Sequence, residues 1–98
     1  MDVYAKLWKQ SKSTLLAICD KDILGRTLKE GKITFHVREE FYKGILVSLQ
    51  EAMEMIDQST IVNMIGTKVV KEAIARGFVH PEAILKIEGI PHAQIVKF

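Results

Sequence analysis

His92 and Gln94 are the residues whose types and spacing are best suited to chemistry. They follow a turn that Gly89 and Pro91 indicate, and their context is otherwise apolar. Residues two apart in a strand lie on the same face of the sheet, so we expect the imidazole and the amide to point the same way. On an open face this pair would recognise a ligand or transfer a proton. On a closed face it would be a satisfied polar pair.

Asn63 is a second polar candidate, because it lies in the apolar segment 61–65, which predicts a buried strand. A buried amide costs free energy unless it is hydrogen-bonded, so we interpret Asn63 as structural. The alternative is an amide that reads a base or ligand beside His92. Gly66 is expected at the turn into a following helix. One Gly-Thr-Lys lacks the glycine spacing of a phosphate-binding loop, which favours an ordinary helix start.

Tyr4, Lys6 and Trp8 form the third candidate group. They alternate with apolar residues over 3–9, a pattern typical of a strand with one mixed face. Two aromatic rings beside a lysine are suited to stacking the bases of single-stranded RNA. An exposed tryptophan face is also common at protein contacts.

Metal binding and nucleophilic catalysis have little support in the sequence. His36, His80 and His92 lack metal-ligand spacing from one another and from Cys19, so we expect no metal and no cofactor. No Gly-x-Ser-x-Gly motif is present. Catalysis would depend on His92 as acid or base, since its ordinary pKa is near neutrality. The lone Cys19 lies in an apolar run and is interpreted as buried and inert.

The composition predicts one folded domain over residues 1–98. Hydrophobic residues make up 48% of the chain and charged residues 27%, which is typical of globular proteins. The net charge of +2 permits a nucleic-acid partner without requiring one. A single cysteine excludes an internal disulfide and favours a cytoplasmic protein. No apolar run approaches the roughly 20 residues of a membrane span, and we expect no membrane partner.

Hydrophobic periodicity and turn residues predict an α+β fold with a mixed, mostly antiparallel sheet of about five or six short strands and three helices. Six strands are expected at 3–9, 14–19, 33–37, 60–65, 84–88 and 90–98, and 45–47 is a candidate for a further short strand. Helices are expected between Asp20 or Asp22 and Gly31, after the capping box Ser48–Glu51, and from Gly66 to Gly77. The last two strands form a hairpin around Gly89.

The chain resembles a small archaeal family of domains of unknown function. The resemblance rests on Asp22-Ile23-Leu24-Gly25, Phe41-Tyr42, Asn63-Met64-Ile65-Gly66, Gly77, Pro81 and Gly89-Ile90-Pro91-His92-Ala93-Gln94. The last segment, with its Gly-x-Pro-His-Ala-Gln pattern, is the most specific part. Lys43 departs from the family, which often has a second glycine there. The resemblance implies an archaeal cytoplasmic source, a compact α/β unit and a link to translation, but no activity.

Our leading hypothesis is a non-enzymatic binding module associated with RNA or ribonucleoprotein. It rests on the mild basicity, the Tyr4-Lys6-Trp8 face and the His92/Gln94 pair. A small enzyme or ligand-binding protein is the alternative, with His92 as acid or base and Gln94 and Asn63 as orienting groups. A homo-oligomer that pairs through a sheet edge or the Trp8 face is the third hypothesis.

Overall fold

The computed structural model describes residues 2–98, which form one six-stranded sheet, one two-stranded sheet and three α-helices. The strands are β1 (Val3–Gln10), β2 (Ser13–Asp20), β3 (Thr27–Glu30), β4 (Ile33–His36), β5 (Ile45–Val47), β6 (Ile61–Ile65), β7 (Leu85–Ile87) and β8 (Ile90–Val96). The helices are α1 (Glu39–Tyr42), α2 (Leu49–Asp57) and α3 (Thr67–Ala75), with 3-10 turns at Lys21–Ile23 and Pro81–Ala83. The predicted α+β class is confirmed.

The six-stranded sheet has the order β5-β1-β2-β6-β8-β7. Its central pair, β2 and β6, is parallel, whereas its other neighbouring strands are antiparallel. The carboxyl ends of two parallel strands lie at the same edge of a sheet. The end of β2 at Asp20 therefore lies close to the end of β6, where α3 begins.

The first face of this sheet is covered by α2 and α3. The buried residues of this layer come from both helices and from alternate positions of the strands, and include Leu16, Ile18, Ala52, Met53, Ile56, Val62, Met64, Val69, Val70 and Ala73. The predicted capping box begins α2. The Ser48 hydroxyl accepts from the Glu51 backbone N–H, and the Glu51 carboxylate accepts from the Ser48 N–H.

The second face is covered by the β3–β4 hairpin, the turn Lys21–Ile23 and α1. Leu28 and Tyr42 from these elements, and Val37 between β4 and α1, pack with Cys19 and Ile65 of the sheet, and all are buried. With this cover, Leu15 and Ile61 of this face remain half-buried and Val96 remains exposed. Part of the second face is therefore left partly exposed.

The helix predicted between Asp20 or Asp22 and Gly31 is wrong. A three-residue 3-10 turn follows Asp20, and the chain then enters the β3–β4 hairpin. Leu28 lies opposite Phe35 and is fully buried, while its neighbours in β3 are exposed. Gly31, with φ +59°, lies in the hairpin turn and does not end a helix. Burial of the alternate residue Leu28 favoured the strand over the local helical spacing.

Asp20 and Gly66 join β2, β6 and α3. Asp20 is 4% exposed, and its two carboxyl oxygens accept from the backbone N–H groups of Lys68 at 2.8 Å and Val69 at 3.0 Å. Burial raises the pKa of Asp20, while these two donors oppose that rise. Gly66 has φ +129°, and a Cβ there would lie 2.3 Å from Asp20 Cγ. Only glycine therefore fits at this helix start. The sequence predicted that a helix begins here, but it did not predict that Asp20 would cap it.

We expect Gly66→Ala to lower the free energy of unfolding by about 2–3 kcal/mol, because it adds a steric clash to a backbone conformation that alanine avoids. Gly31→Ala is the matched control, since Gly31 also has a positive φ but a Cβ added there would meet no other described atom within 4 Å. That control should lose only about 1 kcal/mol. Urea unfolding measures both values, and equal losses would contradict a role for the Asp20 contact.

Candidate functional site

The structure brings His92, Gln94 and Asn63 together on the second face of the sheet. In the pairing of β6 with β8, Gln94 lies opposite Asn63 and His92 lies opposite Ile65. The chain adopts an extended conformation from Ile90 to Val96, so His92 and Gln94 share a face as their spacing suggested. The three side chains nevertheless have different environments, which determine what each can do.

Asn63 is half-buried, and its side-chain carbonyl accepts a short hydrogen bond from the hydroxyl of Tyr42. Tyr42 comes from α1 and is 2% exposed. Burial raises the pKa of Tyr42 well above its usual range, so the phenol keeps its proton and donates. One half of the Asn63 amide therefore holds α1 against the sheet.

His92 is half-buried beside Phe35, with the ring centroids 5.2 Å apart and the rings tilted by 58°. Its Nε2 atom is enclosed and has no hydrogen-bond partner within residues 2–98. Burial lowers the pKa of His92, which favours the neutral imidazole. A general base needs access to the proton that it removes and a group that orients it. The enclosed Nε2 fits a packing role better than acid–base catalysis.

Gln94 differs from Asn63 and His92 because it is exposed to solvent. Its amide offers donors and an acceptor to solvent or to a ligand. Of the three predicted polar residues, Gln94 is the one whose side chain is most accessible.

Tyr4, Lys6 and Trp8 share one face of β1, as their alternation predicted. Lys6 Nζ donates to the backbone carbonyl of Glu40 at 2.6 Å, and Trp8 Nε1 donates to that of Phe41 at 3.1 Å. The Trp8 ring stacks on Phe41 with 6.0 Å between centroids, and Lys6 Nζ lies 4.5 Å from the indole centroid. Lys6 and Trp8 therefore hold α1 to the sheet, and the indole already has two neighbours.

The second face remains partly open beyond α1. Three residues missed by sequence reasoning, Leu15, Ile61 and Val96, form a continuous cross-strand row with Trp8. Leu15 and Ile61 are half-buried, and Val96 is 54% exposed. We call this surface the open platform; it consists of Leu15, Ile61, Asn63, Gln94 and Val96. In the sequence Leu15, Ile61 and Val96 resemble core residues. Nothing in the sequence indicated that the elements covering the second face would leave them partly exposed.

Two cavities border α1 on its outer side. The larger, of about 530 Å³, has a polar lining of mixed charge, and His36 Nδ1 and Thr27 Oγ1 at its wall are 2.9 Å apart. The smaller, of about 270 Å³, lies between Trp8, Arg38, Glu40 and Phe41. Arg38 and Glu40 line both cavities. The cavity beside Trp8 therefore has one basic and one acidic side chain in its lining.

The other reactive groups give no support to a metal or thiol site. Within residues 2–98, no three His, Cys, Asp or Glu side chains converge in a way that suits a metal ion. Cys19 is fully buried, and burial followed by the nearby charges of Asp20 and Asp22 raises the pKa of its thiol to about 12. Such a thiol stays protonated at neutral pH, and its burial agrees with the apolar context of residues 15–19.

The C-terminal turn is a hairpin, as Gly89 and Pro91 indicated. Gly89, with φ +77°, lies between β7 and β8 in a tight hairpin. Pro91 follows a trans peptide bond and lies opposite Lys86 in the sheet. The turn therefore places His92 and Gln94 directly on β8.

Comparison with known proteins identifies the family of this chain and a protein with a similar fold. A family model described as a protein of unknown function, DUF424, matches residues 9–98. The chain belongs to this family. Its fold is similar to the crystal structure of an uncharacterized conserved protein from the archaeon Methanopyrus kandleri, with a TM-score of 0.83 and 25% identity over 97% of this chain and 90% of that one. No curated protein sequence matches the chain significantly.

These matches establish the family and the fold and leave the function open. The prediction that Gly89–Gln94 is the family's most specific segment stays a prediction. Within residues 2–98, no helix has the length and apolar character required to cross a membrane.

The hydrogen bond between Tyr42 and Asn63 generates the first test of this site. We expect Tyr42→Phe to lower the free energy of unfolding by about 1–2 kcal/mol, because the Asn63 carbonyl loses its donor in a partly buried position. Tyr4→Phe is the control, since it removes a phenol hydroxyl from β1 on the same face. Equal losses in the two variants, measured by urea unfolding, would argue against a specific contribution from this bond.

The environment of His92 predicts a pH dependence of stability. Its pKa in the folded chain lies below the ordinary value of 6.5, so the unfolded chain binds the proton more tightly. Stability should therefore fall as the pH is lowered through 6.5, by at most about 1.4 kcal/mol per pH unit for one proton. His92→Phe should flatten this slope in urea unfolding between neutral and mildly acidic pH.

The exposed His36 provides the control for that experiment. His36→Gln should retain the slope that His92 causes. If His92→Phe leaves the slope unchanged, the titrating group lies elsewhere.

Proposed function

We propose that this protein is a non-enzymatic binding module that holds single-stranded RNA on the open platform. The observation that supports this proposal is the pairing of Asn63 with the exposed Gln94 beside the partly exposed apolar row. Hydrogen-bonding amides thus lie next to a strip of apolar surface. Unpaired bases need both, because their faces pack on side chains and their edges form hydrogen bonds.

The dimensions of the open platform suit a short stretch of unpaired bases. Neighbouring strands are about 4.8 Å apart, so a row across four strands spans about 14 Å. Sheets of this width in other RNA-binding folds accommodate two or three bases. Here Leu15, Ile61 and Val96 would contact the base faces, and Gln94 would bond a base edge.

The sequence predicted that Trp8 would stack RNA bases, but in this proposal the open platform contacts the bases instead. Because its ring is already engaged by Phe41 and Lys6, stacking of a base on the indole face would require one of these neighbours to move. Arg38 lines the cavity beside Trp8 and is suited to a phosphate group. Glu40 lines the same cavity and offsets part of that attraction, so we expect modest, salt-sensitive affinity.

The acid–base alternative has less support from the geometry. His92 is the sole predicted catalytic group, and its Nε2 is enclosed without a partner within residues 2–98. Asn63, one of the two residues expected to orient His92, already accepts from Tyr42. Binding by the accessible Gln94 agrees better with these environments than proton transfer by His92.

A salt series with labelled RNA tests the proposal. The purified protein should bind a short single-stranded RNA of mixed sequence at low salt, with affinity falling as salt rises. Gln94→Glu should weaken binding about tenfold or more, because it removes amide donors and places a negative charge beside the RNA. Gln58→Glu, at the end of α2 on the other side of the sheet, makes the same change in charge and should have little effect.

Two outcomes would contradict the proposal. One is the absence of RNA binding even at low salt. The other is an equal loss of affinity in Gln94→Glu and Gln58→Glu, which would indicate non-specific charge attraction. Size-exclusion chromatography of the wild-type protein addresses the homo-oligomer hypothesis, because elution at monomer size would count strongly against it.

A further inference from the structure

A groove lies on the helix-covered side of the sheet, between α3, the turn Pro81–Ala83 and the hairpin of β7 and β8. It has a volume of about 290 Å³. We call it the α3 groove; its lining residues are Thr67, Val70, Lys71, Ile74, Pro81, Ile84, Lys86 and Pro91. Five of the eight are aliphatic residues or prolines, and the charged members of the lining are both lysines.

The walls of the α3 groove are fixed before any partner binds. The Gly66 N–H donates to the Pro91 carbonyl at 3.0 Å, which joins the start of α3 to β8. Asp20 holds the first turn of the same helix through Lys68 and Val69. A preformed groove needs little ordering on binding, so more of the contact energy appears as affinity.

We propose that the α3 groove binds an acidic segment of a partner protein, with one aliphatic side chain inserted between flanking Asp or Glu residues. Charge complementarity selects this partner. Lys71 and Lys86 are both exposed, and no acidic residue of the described chain lines the groove. The aliphatic side chain would contact Val70, Ile74 and Ile84, while the acidic side chains pair with the two lysines.

The chemistry of the lining favours a protein segment over RNA. Among the residues that the structure describes, the lining contains no side-chain amide that could read a base edge, in contrast to the open platform with Asn63 and Gln94. The volume is at the lower end of ligand pockets, which suits one inserted side chain rather than a large ligand.

The α3 groove and the open platform lie on opposite faces of the sheet. Pro91 lines the groove. Because successive side chains of a strand point to opposite faces, His92 and Gln94 lie on the other face of β8, which carries the open platform. This inference therefore does not depend on RNA binding. A protein segment and a second ligand would be able to bind at the same time.

Selection from a displayed library of random peptides, with the folded full chain as bait, tests the proposal. We expect enrichment of sequences in which Leu, Ile or Met is flanked by Asp or Glu. The double variant Lys71→Glu with Lys86→Glu should lose at least tenfold in affinity for a selected peptide. Lys12→Glu with Lys32→Glu is the matched control, because these lysines lie in exposed turns outside the groove and the change in charge is equal.

Titration of isotope-labelled wild-type protein with a selected peptide locates the site even if a variant fails to fold. Amide shifts should be centred on Val70, Ile74 and Ile84. The proposal is overturned if no acidic and aliphatic consensus emerges, if both double variants lose equal affinity, or if the shifts centre on Asn63 and Gln94. It is also overturned if single-stranded RNA, rather than peptide, shifts the groove amides.

Discussion

The arrangement of this protein depends on the carboxyl group of Asp20 at the start of α3. Its two oxygens accept from the N–H groups of Lys68 and Val69, which the helix itself leaves without partners. Gly66 permits this contact because any side chain there would collide with Asp20. The same glycine donates to Pro91 in β8. One polar contact and one small residue therefore position the parallel strand pair, α3 and the wall of the α3 groove.

The two faces of the sheet differ because their covers differ. Two nine-residue helices bury the first face, whereas a short hairpin and the four-residue α1 cover part of the second. A helix as short as α1 has little stability of its own, so tertiary contacts must hold it. The hydroxyl of Tyr42, the amine of Lys6 and the indole of Trp8 provide them. The open platform exists because this small cover ends before it reaches Gln94 and Val96.

Local signals in the sequence account for most of the elements that were predicted correctly. The capping box at Ser48, the helix start after Gly66 and the hairpin at Gly89 were each indicated by residues close together in the sequence. The predicted helix before Gly31 was wrong because Leu28 pairs with Phe35 and is buried by the distant sheet. The bond between Tyr42 and Asn63 links residues 21 positions apart, and no periodicity predicts such a contact. The open platform was missed because exposure depends on what covers a strand.

Burial divides the chemically capable side chains of the second face into two groups, and this division supports the binding role that we propose for Gln94. The enclosed groups are held in neutral forms, because burial raises the pKa of Cys19 and Tyr42 and lowers that of His92. Gln94, by contrast, is accessible and carries no titratable proton. A catalytic site would require a reactive group that is both accessible and oriented. On the open platform the accessible groups are the Gln94 amide and apolar side chains such as Val96, which suit the recognition that we propose there.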